Sequence, residues 1–133
     1  MSKKLLGAVA VCAAALTMTA GVGTGAAAPT AQSAVGFEPC NIDGEQTKLG
    51  ASYVTSLKVA GVSCSKGQKV IKAYHQCRKE DGPAGSCGHS VLGFSCKDGK
   101  RSTVPDVQYS TTAKCRKDSN ADKRIKSSYT QNI

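Results

Sequence analysis

The chain of 133 residues carries 18 Lys and Arg against 9 Asp and Glu, a formal net charge of +9 at pH 7, with seven Cys, no Trp, four Tyr and two Phe. These numbers exclude a multidomain enzyme and a core rich enough in aromatics to stand alone. They leave one small basic domain that needs cross-links to offset its chain entropy.

Residues 1–28 follow the order of a secretory signal peptide: Lys3 and Lys4, an apolar run from Leu5 to Leu16, then small residues to Ala28. At roughly 12 residues the run is short of the about 20 that span a bilayer. Cleavage fits after Ala27 or Ser33. Cys12 lies in the apolar run behind the β-branched Val11, where a lipoprotein anchor would need a small residue, so it is read as removed with the signal. Residues 29–36 form a flexible leader, and 37–133 a single domain. Loss of Lys3 and Lys4 with the signal leaves a net charge of +7.

From Ser52 to Val59 the chain alternates, with Tyr53, Thr55, Leu57 and Val59 on one face of a half-buried strand. Ser65-Lys66-Gly67-Gln68 has the form of a capping box and opens a helix to about Lys79. Val70, Ala73, Tyr74 and Cys77 form its inner face, with Lys69, Lys72, Lys79 and His75 on exposed sides, and Gly82-Pro83 ends it. Leu92, Phe94 and Cys96 alternate along a second strand. Asp98-Gly99 reads as a type I′ hairpin turn into a returning segment, Arg101 to Val104, that Pro105 stops. Val107, Tyr109, Thr111, Ala113 and Cys115 alternate along a third strand, and a polar turn leads to a last one through Ile125, Ser127 and Tyr129. The expected class is α+β: one amphipathic helix packed on an antiparallel sheet of about four strands.

The remaining cysteines, Cys40, Cys64, Cys77, Cys87, Cys96 and Cys115, have the even parity of a disulfide framework in an exported chain. Cys77–Cys87 would close a short local loop. The other four allow three pairings; Cys64 to Cys96 or Cys115 would pin the helix to the sheet and leave Cys40 to tether the N-terminal segment. No Cys-x-x-Cys occurs, so structural zinc is not expected, and no cofactor is implied.

Catalytic signals are thin. Gly93-Phe94-Ser95-Cys96-Lys97 starts like a nucleophile elbow but has Lys97 where the second Gly belongs. His75 and His89 are the only side chains that titrate near neutral pH without a perturbed pKa, and a cationic hydrolase or nuclease would rest on them. Basic residues are plentiful: Lys66, Lys69, Lys72, Arg78 and Lys79 on the helix; Lys97, Lys100 and Arg101 at the first turn; Lys114, Arg116, Lys117, Lys123, Arg124 and Lys126 at the last. Such clusters suit teichoic or other wall acids, lipid head groups or nucleic acid. Aromatics do not interleave with them, so no specific nucleic-acid motif is present. The 78–86 loop, braced by Cys77–Cys87, resembles the binding loop of small protease inhibitors.

Val62-Ser63-Cys64 before a helix, Gly93-Phe94-Ser95-Cys96 on a strand and Cys115 before a closing basic hairpin resemble small exported cysteine-rich proteins of high-GC Gram-positive bacteria. The resemblance covers roughly the last 70–75 residues. It implies an extracellular address and a small disulfide fold, and it transfers no catalytic residue. The reading is a secreted or wall-associated basic domain, without a membrane span, that binds an anionic envelope polymer or an extracellular protein. Protease inhibition through the 78–86 loop is the first alternative and a small hydrolase or nuclease the second.

Overall fold

A computed structural model describes residues 35–133. The expected signal peptide, Cys12 and all of the leader except Val35 and Gly36 lie outside the described residues. The elements in chain order are β1 (Glu38–Pro39), β2 (Tyr53–Ala60), α1 (Cys64–Lys79), β3 (Phe94–Asp98), β4 (Ser102–Val104), β5 (Gln108–Lys117) and β6 (Asn120–Asn132). The strands form one antiparallel sheet in the order β1-β2-β6-β5-β3, with β4 paired to β5 beside β3. The fold is α+β as the patterning implies; the strands beyond the expected four are the short ones at the sheet edges.

Alternation builds the two long central strands. Tyr109, Thr111, Ala113 and Cys115 on β5 and Ile125, Ser127, Tyr129 and Gln131 on β6 point into the core, and the intervening residues face the other way. In β2 the expected face is wrong for its first half. A bulge between Val54 and Ser56 shifts the register, so Val54 is buried while Tyr53 and Thr55 are exposed. One extra residue flips the side chains that precede it to the other face, which strict alternation cannot anticipate. The Asp98-Gly99 hairpin is also absent: β3 and β4 do not pair with each other but lie end to end along β5. Thr111 Oγ1 donates to the carbonyl oxygens of Gly99 and Lys100, holding the connecting chain against that strand.

Helix α1 starts at Cys64, with Ser63 as its N-cap and the Ser63 Oγ accepting from the Lys66 N–H at 3.3 Å. Its start lies two positions before the one read from Ser65, because Ser63 supplies the cap first. Its inner face is also wider than expected: Gly67, Ile71, His75 and Arg78 are buried beside Val70, Tyr74 and Cys77. The helix lies against β2 so closely that a Cβ on Gly67 would stand 2.6 Å from Val59 Cγ1.

Three disulfides join Cys40 to Cys64, Cys77 to Cys87 and Cys96 to Cys115. The local Cys77–Cys87 loop is as read from the sequence. The preferred bridge from Cys64 to a sheet cysteine is not formed. Cys96 and Cys115 already face each other across β3 and β5, with 4.0 Å between Cα atoms, so they satisfy one another. Cys40 follows β1, where its N–H donates to the Leu57 carbonyl of β2, and this places it under the first turn of α1 and Cys64. The helix is therefore stapled to the edge of the sheet and not to its middle.

Candidate functional site

The helix residues that sequence places on the surface are partly the most deeply buried in the protein. Arg78 and His75 both have zero exposure. Arg78 Nε donates to His75 Nδ1 at 2.8 Å; its terminal nitrogens donate to the Pro83 carbonyl (2.8 Å), the Tyr109 hydroxyl (2.7 Å) and Gln131 Oε1 (2.6 Å). Its guanidinium also lies 4.9 Å from the Tyr129 ring centroid. Arg78 thus leaves the set of candidate binding residues, because every donor direction the geometry offers is turned inward. His75 likewise leaves the set of accessible acid–base groups. Burial first, and then the Arg78 charge, push its pKa down to about 3, so the ring is neutral and accepts at Nδ1.

Beside this pair, Asp98 receives hydrogen bonds from Tyr74 (2.8 Å), Tyr129 (2.7 Å) and Arg101 (3.1 Å). Burial, followed by the bond to Asp98, raises the pKa of both tyrosines. Arg101 also donates to the carbonyls of Ala84 and Gly85 and covers the Tyr109 ring at 4.3 Å. The 78–86 loop is therefore held inward by three of its carbonyls, Pro83, Ala84 and Gly85. It offers Lys79 but not Arg78 to solvent, unlike the outward, extended loop that a protease pocket grips.

His89 is exposed, with both ring nitrogens 3.6–3.7 Å from Cys77 Sγ. Cys77, Cys87 and His89 are the one Cys/His cluster close enough to share an ion among the described residues. With the sulfurs bonded to each other, it offers an imidazole and no thiolate. Ser95 sits within β3 and donates to Asp118 at 2.6 Å, which with the Ser90 contact lowers the pKa of that acid. Among the described residues the side-chain partners of Ser95 are Ser90 and Asp118, and neither is an imidazole.

The remaining candidates divide between two opposite surfaces. Lys66, Lys69, Lys72 and Lys79 lie along the outer side of α1, with Lys66 half-buried. Arg116 and Arg124 lie on the sheet face turned away from the helix, directly opposed across β5 and β6. Lys117 lines the end of that face, while Lys123 packs beside Gly61 at its border.

On the same outer face, strand register assembles what linear sequence conceals. Lys97 on β3 opposes Lys114 on β5, Lys114 opposes Lys126 on β6, and Lys126 opposes Lys58 on β2. Four lysines form a row across four strands, spanning roughly 14 Å at the usual strand spacing. Arg116 and Arg124 form a second row one step along the strands. Five of these six cations (all but Lys58), with Phe37, Lys117 and Ile125, line an open hollow of about 820 Å³. Phe37 lies 4.9 Å from the Arg124 guanidinium and 4.3 Å from Lys126 Nζ, and Arg124 donates to the Val35 carbonyl.

No residue opposed across these two rows is acidic, and none of the six cations forms an ion pair among the described residues. The two carboxylates that reach the hollow, Asp98 and Asp118, are engaged by Tyr74, Tyr129, Arg101 and Ser95. Like charges directly opposed on a sheet repel, at a cost of up to about 1 kcal/mol per pair. Comparison with known proteins adds no assignment: no family model, no curated protein and no solved structure matches the chain.

Proposed function

We propose that this protein is a secreted, non-enzymatic binding module whose outer sheet face holds an anionic polymer of the cell envelope. The observation that carries the reading is the in-register row Lys97, Lys114, Lys126 and Lys58, backed by Arg116 and Arg124 and free of carboxylate partners. Repulsion built into a ladder is relieved when an anion bridges the row, so the face is complementary to a multivalent anion and poorly suited to a neutral ligand. Three disulfides, the apolar N-terminal run and the resemblance to exported cysteine-rich proteins support an extracellular or wall-associated setting. No helix among the described residues is long and apolar enough to cross a membrane.

Purified oxidised protein incubated with envelope fractions tests the reading. Capture is expected to fall steeply with salt, as counterion release requires, and to be lost in the triple variant Lys97→Ser, Lys114→Ser, Lys126→Ser. The helix variant Lys66→Ser, Lys69→Ser, Lys72→Ser is expected to retain capture. Salt-independent capture, or loss in the helix variant alone, overturns the assignment to the sheet.

A further inference from the structure

The distribution of hydroxyls on the outer face narrows the ligand, and the geometry points to a linear polyol phosphate: a phosphodiester chain whose linkers bear hydroxyl groups. This inference rests on the sheet face being the binding surface. Beside the lysine row, on the side away from the arginines, Ser56, Ser128 and Thr112 lie opposed across β2, β6 and β5. Ser110 and Thr130 follow in the next outward step. Thr112 and Ser128 are hydrogen-bonded at 3.0 Å, and Ser110 and Thr130 at 2.9 Å. In each pair one hydroxyl donates to the other, which leaves the second hydroxyl's own proton and further lone pairs for a ligand. The outer face is thus divided into an arginine row, a lysine row and a field of hydroxyls, in that order along the strands.

A chain lying along the lysine row meets cations about 4.8 Å apart, the spacing of neighbouring strands. Repeating anions that can all face one side fit this, and a phosphodiester with a short, freely rotating linker can turn successive phosphates toward the flexible lysine stems. A uronate polysaccharide repeats its carboxylates at a similar spacing, but its stiff screw-related rings turn successive carboxylates to different sides of the chain, so that only some of them can face one row. The tetrahedral phosphate also exposes two non-bridging oxygens, one for the lysines and one for the guanidinium of the exposed Arg116 on the flanking row. Linker hydroxyls then fall toward Ser56, Ser128 and Thr112.

Nucleic acid shares the phosphodiester but needs surfaces on which its bases can stack. The aromatics on this face do not provide them along the row. Phe37 is covered by Arg124 and Lys126, and Tyr53 stands five residues from Lys58 along β2, about 17 Å away at strand rise.

The test titrates oxidised protein with fluorescent poly(glycerol phosphate), polygalacturonate and oligo-dT of matched total charge, at low salt and at 0.2 M salt. Poly(glycerol phosphate) is expected to bind about tenfold or more tightly than polygalacturonate, with oligo-dT no tighter than the polyol chain. The Lys97→Ser, Lys114→Ser, Lys126→Ser variant should reduce the slope of log affinity against log salt by about 2–3. Ser128→Ala should weaken poly(glycerol phosphate) and leave oligo-dT unchanged. Equal affinity for the polycarboxylate would overturn the phosphodiester assignment while leaving an anion-binding face. Preference for oligo-dT would overturn the polyol. Failure to bind any of the three would overturn both this inference and the reading on which it rests. The substituted positions lie on the outer face, and retention of the far-ultraviolet spectrum confirms that each variant is folded.

Discussion

Arg78 carries its charge at zero exposure among neutral acceptors: an imidazole nitrogen, a backbone carbonyl, a phenol and a carboxamide. Its fork fixes four points of the fold at once, on α1, the 78–86 loop, β5 and β6. Arg78→Met would leave the Gln131 and His75 acceptors buried without a donor, and Arg78→Lys cannot reproduce the planar fork. Both are expected to lose about 3 kcal/mol or more of stability, read as a shift in the urea midpoint at constant slope. His75 adds a pH dependence. Its folded pKa lies below the ordinary imidazole value, so the unfolded state takes up the proton first as pH falls. The stability is complete above about pH 6.5 and is lost progressively toward pH 3. Between pH 7.5 and 4.5 the wild type should lose roughly 2 kcal/mol or more beyond what His75→Gln loses, the glutamine retaining an acceptor for Arg78 Nε. Equal losses would show that the ring does not titrate against folding. Neither residue is legible as core in the sequence. Helical spacing permits 75 and 78 on the inner face, but polarity argues against them, and only the convergence of Tyr109, Gln131 and Pro83 from distant parts of the chain makes that burial tolerable.

At the level of elements, periodicity locates α1, β5 and β6 but not the whole of their inner faces: Ile71, His75 and Arg78 join that of α1, and Val107, expected on the third strand, lies before β5 and is exposed. It fails where geometry depends on another segment. Tyr53 and Thr55 point outward because of the bulge between Val54 and Ser56. Asp98-Gly99 has the composition of a turn, yet its carboxylate is needed inward by Tyr74 and Tyr129. The pairing of Cys96 with Cys115 follows from a β3–β5 register that their sequence separation of 19 does not reveal. Gly67 marks the contact between helix and sheet. Its replacement by Ala gains about 1 kcal/mol of helix propensity but sets a methyl 2.6 Å from Val59 Cγ1, and overpacking of this kind costs about 1–3 kcal/mol. Gly67→Val adds β-branched bulk at the same place and should lower Tm by several degrees more than Gly67→Ala. Gly88→Ala, where a Cβ meets nothing within 4 Å, should leave Tm nearly unchanged and calibrates the comparison.

For the molecule as a whole, the abundance of basic residues was plain from the sequence, while their sorting was not. Chain-order clusters mixed Arg78, now in the core, with helix lysines that face away from the sheet, and they omitted Lys58, which only strand pairing brings to the row. The row has a consequence in the absence of any ligand. Lys114 stands between Lys97 and Lys126, so two like-charge contacts pass through it. Lys114→Thr keeps a good strand residue, extends the hydroxyl field and removes both contacts. It is expected to stabilise the domain by about 0.5–1 kcal/mol at low salt. Salt should shrink that gain, because the Debye length falls to about 3 Å at 1 M and the wild-type repulsion is then screened. Lys79→Thr in the last turn of the exposed helix, with no cation opposed across a ladder and none three or four residues before it, should give no such salt-dependent gain. Thermal unfolding of the three proteins across a salt series reads this directly. A row kept only for solubility would not require three consecutive in-register pairs, since the same net charge can be spread without them. If Lys114→Thr is at once more stable and weaker toward the polyanion, the repulsion is the stability given up to hold the ligand. If it is less stable at every salt concentration, the lysine stems contribute packing that outweighs their repulsion, and the face has no stored incentive to bind.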